Sequence, residues 1–266
     1  MTSYTPWDER YLPRVGSTME WARQVTAAEE LRRAPVDAVR VRTGEQLTGR
    51  GRRGAPWWDT PGASVLTTLA LRRGGVWDPG DPNPASMALR AGLAVARTLE
   101  RCDIAGVGIK WPNDILLNQR KVCGILVEAD PRWFYIGIGL NVGLPSRRPH
   151  PSRLSHPSRG PHSAGEPAIL PGSIGAMLSR STGVATIVQT LDQILAQVVR
   201  TGNWLPEVRR RLVWQGRMVR LQRESSGEVI GILTGLDEAG AVLIASESGA
   251  PPARYMAGTL RPAEGD

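Results

Sequence analysis

The sequence predicts an α/β (α+β) fold in which a mixed β-sheet is packed by helices and followed by a small β-barrel. Three observations carry this. From residue 17 to residue 141, stretches with two-residue apolar alternation are interleaved with stretches of helical apolar spacing. Beyond Arg211 the helical spacing stops. Short strand-like runs then follow one another, separated by turns such as Asp237-Glu-Ala-Gly240. The 266 residues are 41% hydrophobic, enough for one large domain or two smaller ones.

The elements are justified in order. Ser17 and Glu20 have capping-box spacing ahead of a helical stretch from Trp21 to Leu31. Ala38 to Thr43 alternates at period two and reads as a strand. A Gly/Arg loop runs from there to about Gly62, and Ser64 to Leu71 is the next strand. Asp78 to Pro84 is a Pro/Gly turn before a helix from Ala85 to Arg101, whose apolar face includes Met87, Leu89, Leu93 and Leu99. Strands are predicted at Val107 to Trp111, Ile115 to Leu117, Lys121 to Glu128 and Trp133 to Asn141. Pro145 to Pro171 holds seven prolines and reads as a flexible Pro/His/Arg-rich insertion, residues 146–171 of the first domain. Ile187 to Val199 is an amphipathic helix. Arg217 to Leu221, Gly227 to Leu233, Ala241 to Ala245 and Ala253 to Leu260 are the short strands of the barrel. The expected division is 1–211 and 212–266.

Composition excludes several chemistries. No run of eighteen apolar residues is present, so no membrane span is expected. The first eleven residues carry Asp8 and Glu9 and no apolar run, unlike a secretion signal. Two cysteines, Cys102 and Cys123, make no disulfide framework, and a cytoplasmic protein is expected. His150, His156 and His162 all lie in the insertion, which argues against Ser-His-Asp or Cys-His catalysis and against a histidine-ligated zinc. The net charge of +8 suggests an anionic partner without choosing between nucleotide, nucleic acid and acidic protein. Lysine occurs only at Lys110 and Lys121, against 31 arginines. Two lysines in such a background mark positions where a compact ammonium serves and a planar fork does not.

Three constellations stand out. Gly49 to Gly54 reads GRGRRG, which on its own fits a solvated basic turn as well as an anion-binding loop. It is not a P-loop, because the Gly-x4-Gly-Lys-Ser/Thr spacing is absent. Lys110 to Asp114 reads KWPND. Pro112 is expected to hold Trp111 extended, leaving Asn113 and Asp114 where a strand ends. Gly137 to Gly143, GIGLNVG, puts glycines on alternate positions of an apolar strand, which weakens a strand unless something approaches its backbone closely. Asn141 is a lone amide in that run.

Taken together, Ser17-Thr18, Glu45 to Gly54, Lys110 to Asp114, Arg120 to Glu128 (RKVCGILVE) and Gly137 to Val142 resemble, in order and rough spacing, the biotin protein ligases. The resemblance runs from about residue 12 to the C-terminus and implies that the terminal barrel is SH3-like. It implies a two-step reaction: the biotin carboxylate attacks the α-phosphate of Mg-ATP, giving biotinyl-5′-AMP, and an acceptor lysine on a biotin carboxyl carrier domain then attacks the mixed anhydride. By resemblance, Ser17, Thr18 and Gln46 hold the ureido ring. Arg50, Gly51 and Arg52 belong to the loop that orders over biotin and the adenylate. Trp57 packs near adenine, Lys121 contacts the biotin carboxylate and the α-phosphate, and Asn141 contacts adenine. Asn113 and Asp114 handle the phosphates and Mg²⁺, with Asp114 as the metal ligand. Lys121 and Arg50 are the expected catalytic residues, and Lys110 is electrostatic support.

The chain departs from the family's pattern at Met19, where asparagine is usual, at Thr48, where alanine is usual, and at Trp58, which doubles the aromatic after Trp57. Only about sixteen residues precede Ser17, so no DNA-binding domain and no DNA partner are expected; a homodimer through the sheet is one assembly the resemblance implies. The rival enzyme is a lipoate or octanoate ligase of the same fold. The rival from another class is a basic nucleic-acid-binding protein, which the scattered charge and the lack of a binding module speak against.

Overall fold

The computed structural model describes residues 7–32, 36–57, 59, 61–78, 80, 83–143, 171–178, 182–200, 202–223, 227–246 and 250–263. The insertion (except Pro171), its three histidines and Trp58 therefore lie outside the described residues.

The larger sheet has seven strands in the order β1-β2-β3-β7-β6-β5-β4. β1 (Asp8–Val15) and β2 (Ala38–Gln46) are parallel and joined by α1 (Thr18–Leu31), as a parallel pair requires a crossover. β3 (Ser64–Arg72), β4 (Val107–Lys110), β5 (Asp114–Leu117), β6 (Arg120–Ala129) and β7 (Trp133–Asn141) complete it with antiparallel ladders. The expected mixed sheet is thus present. β1 was not expected. Its residues do not alternate, because it is an edge strand with Tyr11 and Leu12 exposed. Pro13, which has no N–H to give, falls in the gap of the register between Leu12↔Thr43 and Arg14↔Glu45.

Helices cover both faces. On one, Met19 and Ala22 of α1 pack with Val39, Val41, Ala70, Trp133 and Tyr135. On the other, α2 (Pro84–Arg101) is buried along almost its whole length between the sheet and α3 (Val184–Arg200). Ile187, Leu191, Ile194, Leu195 and Val198 form the buried stripe of α3 at helical spacing. Arg40 of β2 is buried and ion-paired to Asp192 of α3 and to Glu9 of β1. At the start of α2, Asn83 Oδ1 accepts from Ala85 N at 2.9 Å and Pro84 takes a first-turn position that needs no donor. Asn83→Ala should cost about 1 kcal/mol of stability in urea denaturation; an unchanged midpoint would show that the cap contributes nothing. By contrast Ser17 occupies the N-cap of α1 but makes no side-chain cap, so the expected capping box is not formed.

α4 (Leu205–Arg211) leads into a five-stranded antiparallel sheet, β11-β10-β9-β8-β12, the small SH3-like unit. Its strands are β8 (Met218–Gln222), β9 (Glu228–Leu236), β10 (Val242–Ala245), β11 (Ala253–Tyr255) and β12 (Thr259–Pro262). The run from Ala253 to Leu260, expected as one strand, is two strands broken at Met256 to Gly258. The second sheet is tied to the first body through its backbone. Trp111 Nε1 donates to Gly240 O at 3.0 Å, Asn83 Nδ2 to Ala239 O at 3.1 Å, and Arg209 to Leu236 O at 2.7 Å.

Candidate active site

Two glycines make the floor. Gly124 of β6 and Gly139 of β7 sit opposite each other in the ladder. A Cβ on Gly124 would come within 2.6 Å of the Trp57 ring, and one on Gly139 within 2.5 Å. The indole therefore lies flush on bare backbone, which explains glycine at alternate positions of β7. Gly137, one step along the same face, is approached by Met19 Cε, so the departure at residue 19 fills space under α1.

At one end of this floor, Gln46 closes β2 beside the start of α1. Its Oε1 accepts from Thr18 N at 2.8 Å and Thr18 Oγ1 at 3.0 Å, and Thr68 Oγ1 donates to Thr18 Oγ1 at 2.9 Å. These bonds turn the amide nitrogen of Gln46 towards Gly49. Ser17, Thr18 and Gln46 are all buried.

At the other end stand the two lysines. KWPND makes the turn between β4 and β5: β4 ends at Lys110, one residue short of the expected Trp111, and the Trp111–Pro112 peptide is cis. Asp114 lies between Lys110 Nζ at 3.0 Å and Lys121 Nζ at 2.5 Å. Burial pushes the Asp114 carboxyl up, and the two ammonium groups more than reverse this, leaving it below its ordinary range. Burial draws Lys110 down from its ordinary value, against the pull of Asp114. Lys121 Nζ stands 5.4 Å from the centroid of Trp57. Asn113 Nδ2 donates to Ile125 O at 2.6 Å, which fixes the turn to β6.

Both oxygens of Asp114 face ammonium groups, and the described residues hold no group of three or more His, Cys, Asp or Glu that could bind a metal. Among the described residues Asp114 is the counter-ion of the lysine pair.

The arginine loop closes over the floor. Gly51 N donates to Ala55 O at 2.7 Å and Trp57 N to Gly49 O at 2.9 Å, pinching its base. Arg52 Nη1 reaches Asn113 Oδ1 at 3.3 Å and Gly258 O at 3.2 Å, so the loop touches both sheets. Arg50 turns the other way and pairs with Glu128, near the end of β6. Sequence reading included Glu128 in a motif but gave it no role; the one signal was a carboxylate ending an apolar strand. Asn141 is buried, donates to Gly172 O at 3.3 Å, and its Oδ1 has no donor among the described residues. Cys123 is buried, which drives its thiol well above the usual range and leaves it a poor nucleophile.

Residues 11–143 match the biotin/lipoate A/B protein ligase family. The chain is 30% identical over 246 residues to the biotin--[acetyl-CoA-carboxylase] ligase of Paracoccus denitrificans, covering 84% of this chain and 92% of that protein. It is 29% identical over 228 residues to the Escherichia coli bifunctional ligase/repressor BirA, covering 82% of this chain and 65% of the relative's length. The fold is shared with a biotin protein ligase from Aquifex aeolicus solved with biotin and ATP, at TM-score 0.71 and 20% identity over 96% of this chain and 99% of that one. The chain belongs to the biotin/lipoate A/B protein ligase family.

Proposed function

We propose that this chain activates biotin with Mg-ATP as biotinyl-5′-AMP and transfers the biotinyl group to a lysine of a biotin carboxyl carrier domain of a biotin-dependent carboxylase. The observation that carries the reading is the gathering, beneath one arginine loop, of the Thr18–Gln46 pair, of Trp57 seated on the glycine backbone, and of Lys121 with Asp114.

Each part of this arrangement suits one part of the reaction. Ser17, Thr18 and Gln46 take the ureido ring, with the oriented amide nitrogen of Gln46 as a donor. In the first step a biotin carboxylate oxygen bonds to the α-phosphorus and pyrophosphate leaves. Negative charge crowds there, and Lys121 with Arg52 offsets it, while Arg50, paired with Glu128, holds the loop. Asp114 holds Lys121 in place between steps, and Lys110 keeps Asp114 ionised. Trp57 and Asn141 serve the adenosine end. The buried Oδ1 of Asn141 would accept from the adenine amine, the donor it lacks. In the second step the acceptor amine attacks the acyl carbon, the C–O bond to phosphate breaks, and AMP leaves. Neither step needs an enzyme nucleophile; positioning carries the reaction.

The described helices include none long and apolar enough to cross a membrane. A cytoplasmic reaction fits a need for ATP, and the edge of β1, which pairs only with β2 among the described residues, is where a homodimer would extend the sheet. The test is direct: purified chain with biotin and Mg-ATP should release pyrophosphate, accumulate biotinyl-AMP and label a carrier domain. Preference for lipoate or octanoate over biotin in the same assay would overturn the choice of substrate.

A further inference from the structure

The arginine loop is held at two ends that differ in kind. Arg52 is tethered to a side-chain amide and a peptide carbonyl of the turn before β12. Arg50 is tethered to a carboxylate, with Nη1 on Glu128 Oε1 and Nη2 on Glu128 Oε2 at 3.1 Å. A bidentate arginine–carboxylate pair fixes orientation as well as distance. Glu128 does not stand alone. It also accepts from Arg23 Nη2 of α1 at 2.8 Å. Arg23 in turn lies 4.3 Å above the Tyr135 ring and 3.8 Å from Asp130 Oδ2. Tyr135 Oη donates to Asp130 Oδ2 at 3.0 Å and contacts Thr26 Oγ1 at 3.0 Å. The carboxylate that receives the loop is thus itself immobilised between α1 and β7.

Its place on the strand matters. Gly124, Leu126 and Glu128 alternate along one face of β6, so the floor under Trp57 and the anchor of the loop belong to one rigid element. Movement of the loop away from the floor has to break the Arg50–Glu128 pair.

We infer that Glu128 is a positioning residue, a latch that holds the loop shut through Arg50 and so retains biotinyl-AMP between its synthesis and its transfer. This rests on the reading of the loop as the cover of the activated biotin. Glu128 touches no reacting atom; removing its charge should loosen the cover while leaving the chemistry under it.

The test uses the full chain with Glu128→Gln, which keeps shape and loses charge. Single-turnover synthesis of biotinyl-AMP should stay within about threefold of the parent, while release of the preformed adenylate rises about tenfold, the scale of one charge-assisted hydrogen bond. Trypsin should cut faster after Arg50, Arg52 and Arg53, mapped by mass spectrometry, in the ligand-free protein. Arg23→Gln should shift both readouts the same way by less. Unchanged release and cutting in Glu128→Gln would overturn the latch, as would a fall in synthesis matching the rise in release. If the parent makes no biotinyl-AMP, the proposed function fails, and the tryptic readout still decides whether Glu128 holds the loop.

Discussion

Lys121→Arg is expected to slow biotinyl-AMP formation by about 10²-fold or more, the scale of losing one transition-state donor. The charge survives this change; the geometry does not. Lys121 Nζ meets Asp114 Oδ1 at 2.5 Å, and a Cβ on Gly124 would stand only 3.1 Å from Lys121 Cε. The side chain thus lies in a slot between the glycine floor, Trp57 and Asp114. A guanidinium is longer, planar and forked, and must push either the indole or the carboxylate. Rapid-quench measurement of adenylate, beside a thermal melt to show that the fold survives, is the check. Near-parental synthesis by a folded Lys121→Arg variant would remove Lys121 from the chemistry.

Asp114→Ala is expected to cost about 3–5 kcal/mol of stability, because it leaves a buried ammonium without its counter-charge. Lys110 is buried, and Asp114 is its ion-pair partner at 3.0 Å. A midpoint shift in urea at constant m-value would report this. The double variant Lys110→Met/Asp114→Leu should recover most of the lost stability, since apolar replacements for a buried pair are often neutral. It should not recover adenylate synthesis, because Lys121 has then lost the carboxylate that holds it. Recovery of both would show that the pair is structural only.

Much of the fold was legible because burial writes a period into the chain. β7 was read at its observed bounds, Trp133 to Asn141, and α2 to within a residue. β1 was illegible because an exposed edge strand has no face to hide and so no alternation. α4 was missed because seven residues with Pro206 and three arginines carry too short an apolar stripe to be seen. Within the site, the motif residues could be located by resemblance, while their partnerships could not. Glu128 meets Arg50 and Arg23 across 78 and 105 residues of sequence. Asp114 could be placed near phosphate from its motif, but its role turned on Lys121 arriving from the neighbouring strand.

The scarcity of lysine has a further consequence in the folded protein. A mixed anhydride reacts with amines, and an enzyme that makes one is ordinarily surrounded by its own. Here one of the two lysine amines, Lys110, is buried against Asp114, and the other, Lys121, is held at the same carboxylate. The other basic side chains, apart from the three histidines, are guanidinium groups, which stay protonated at neutral pH and do not acylate. The molecule is therefore a poor victim of its own product. Any intermediate that escapes will mark its neighbours, and self-modification will be a weak signal of how often that happens.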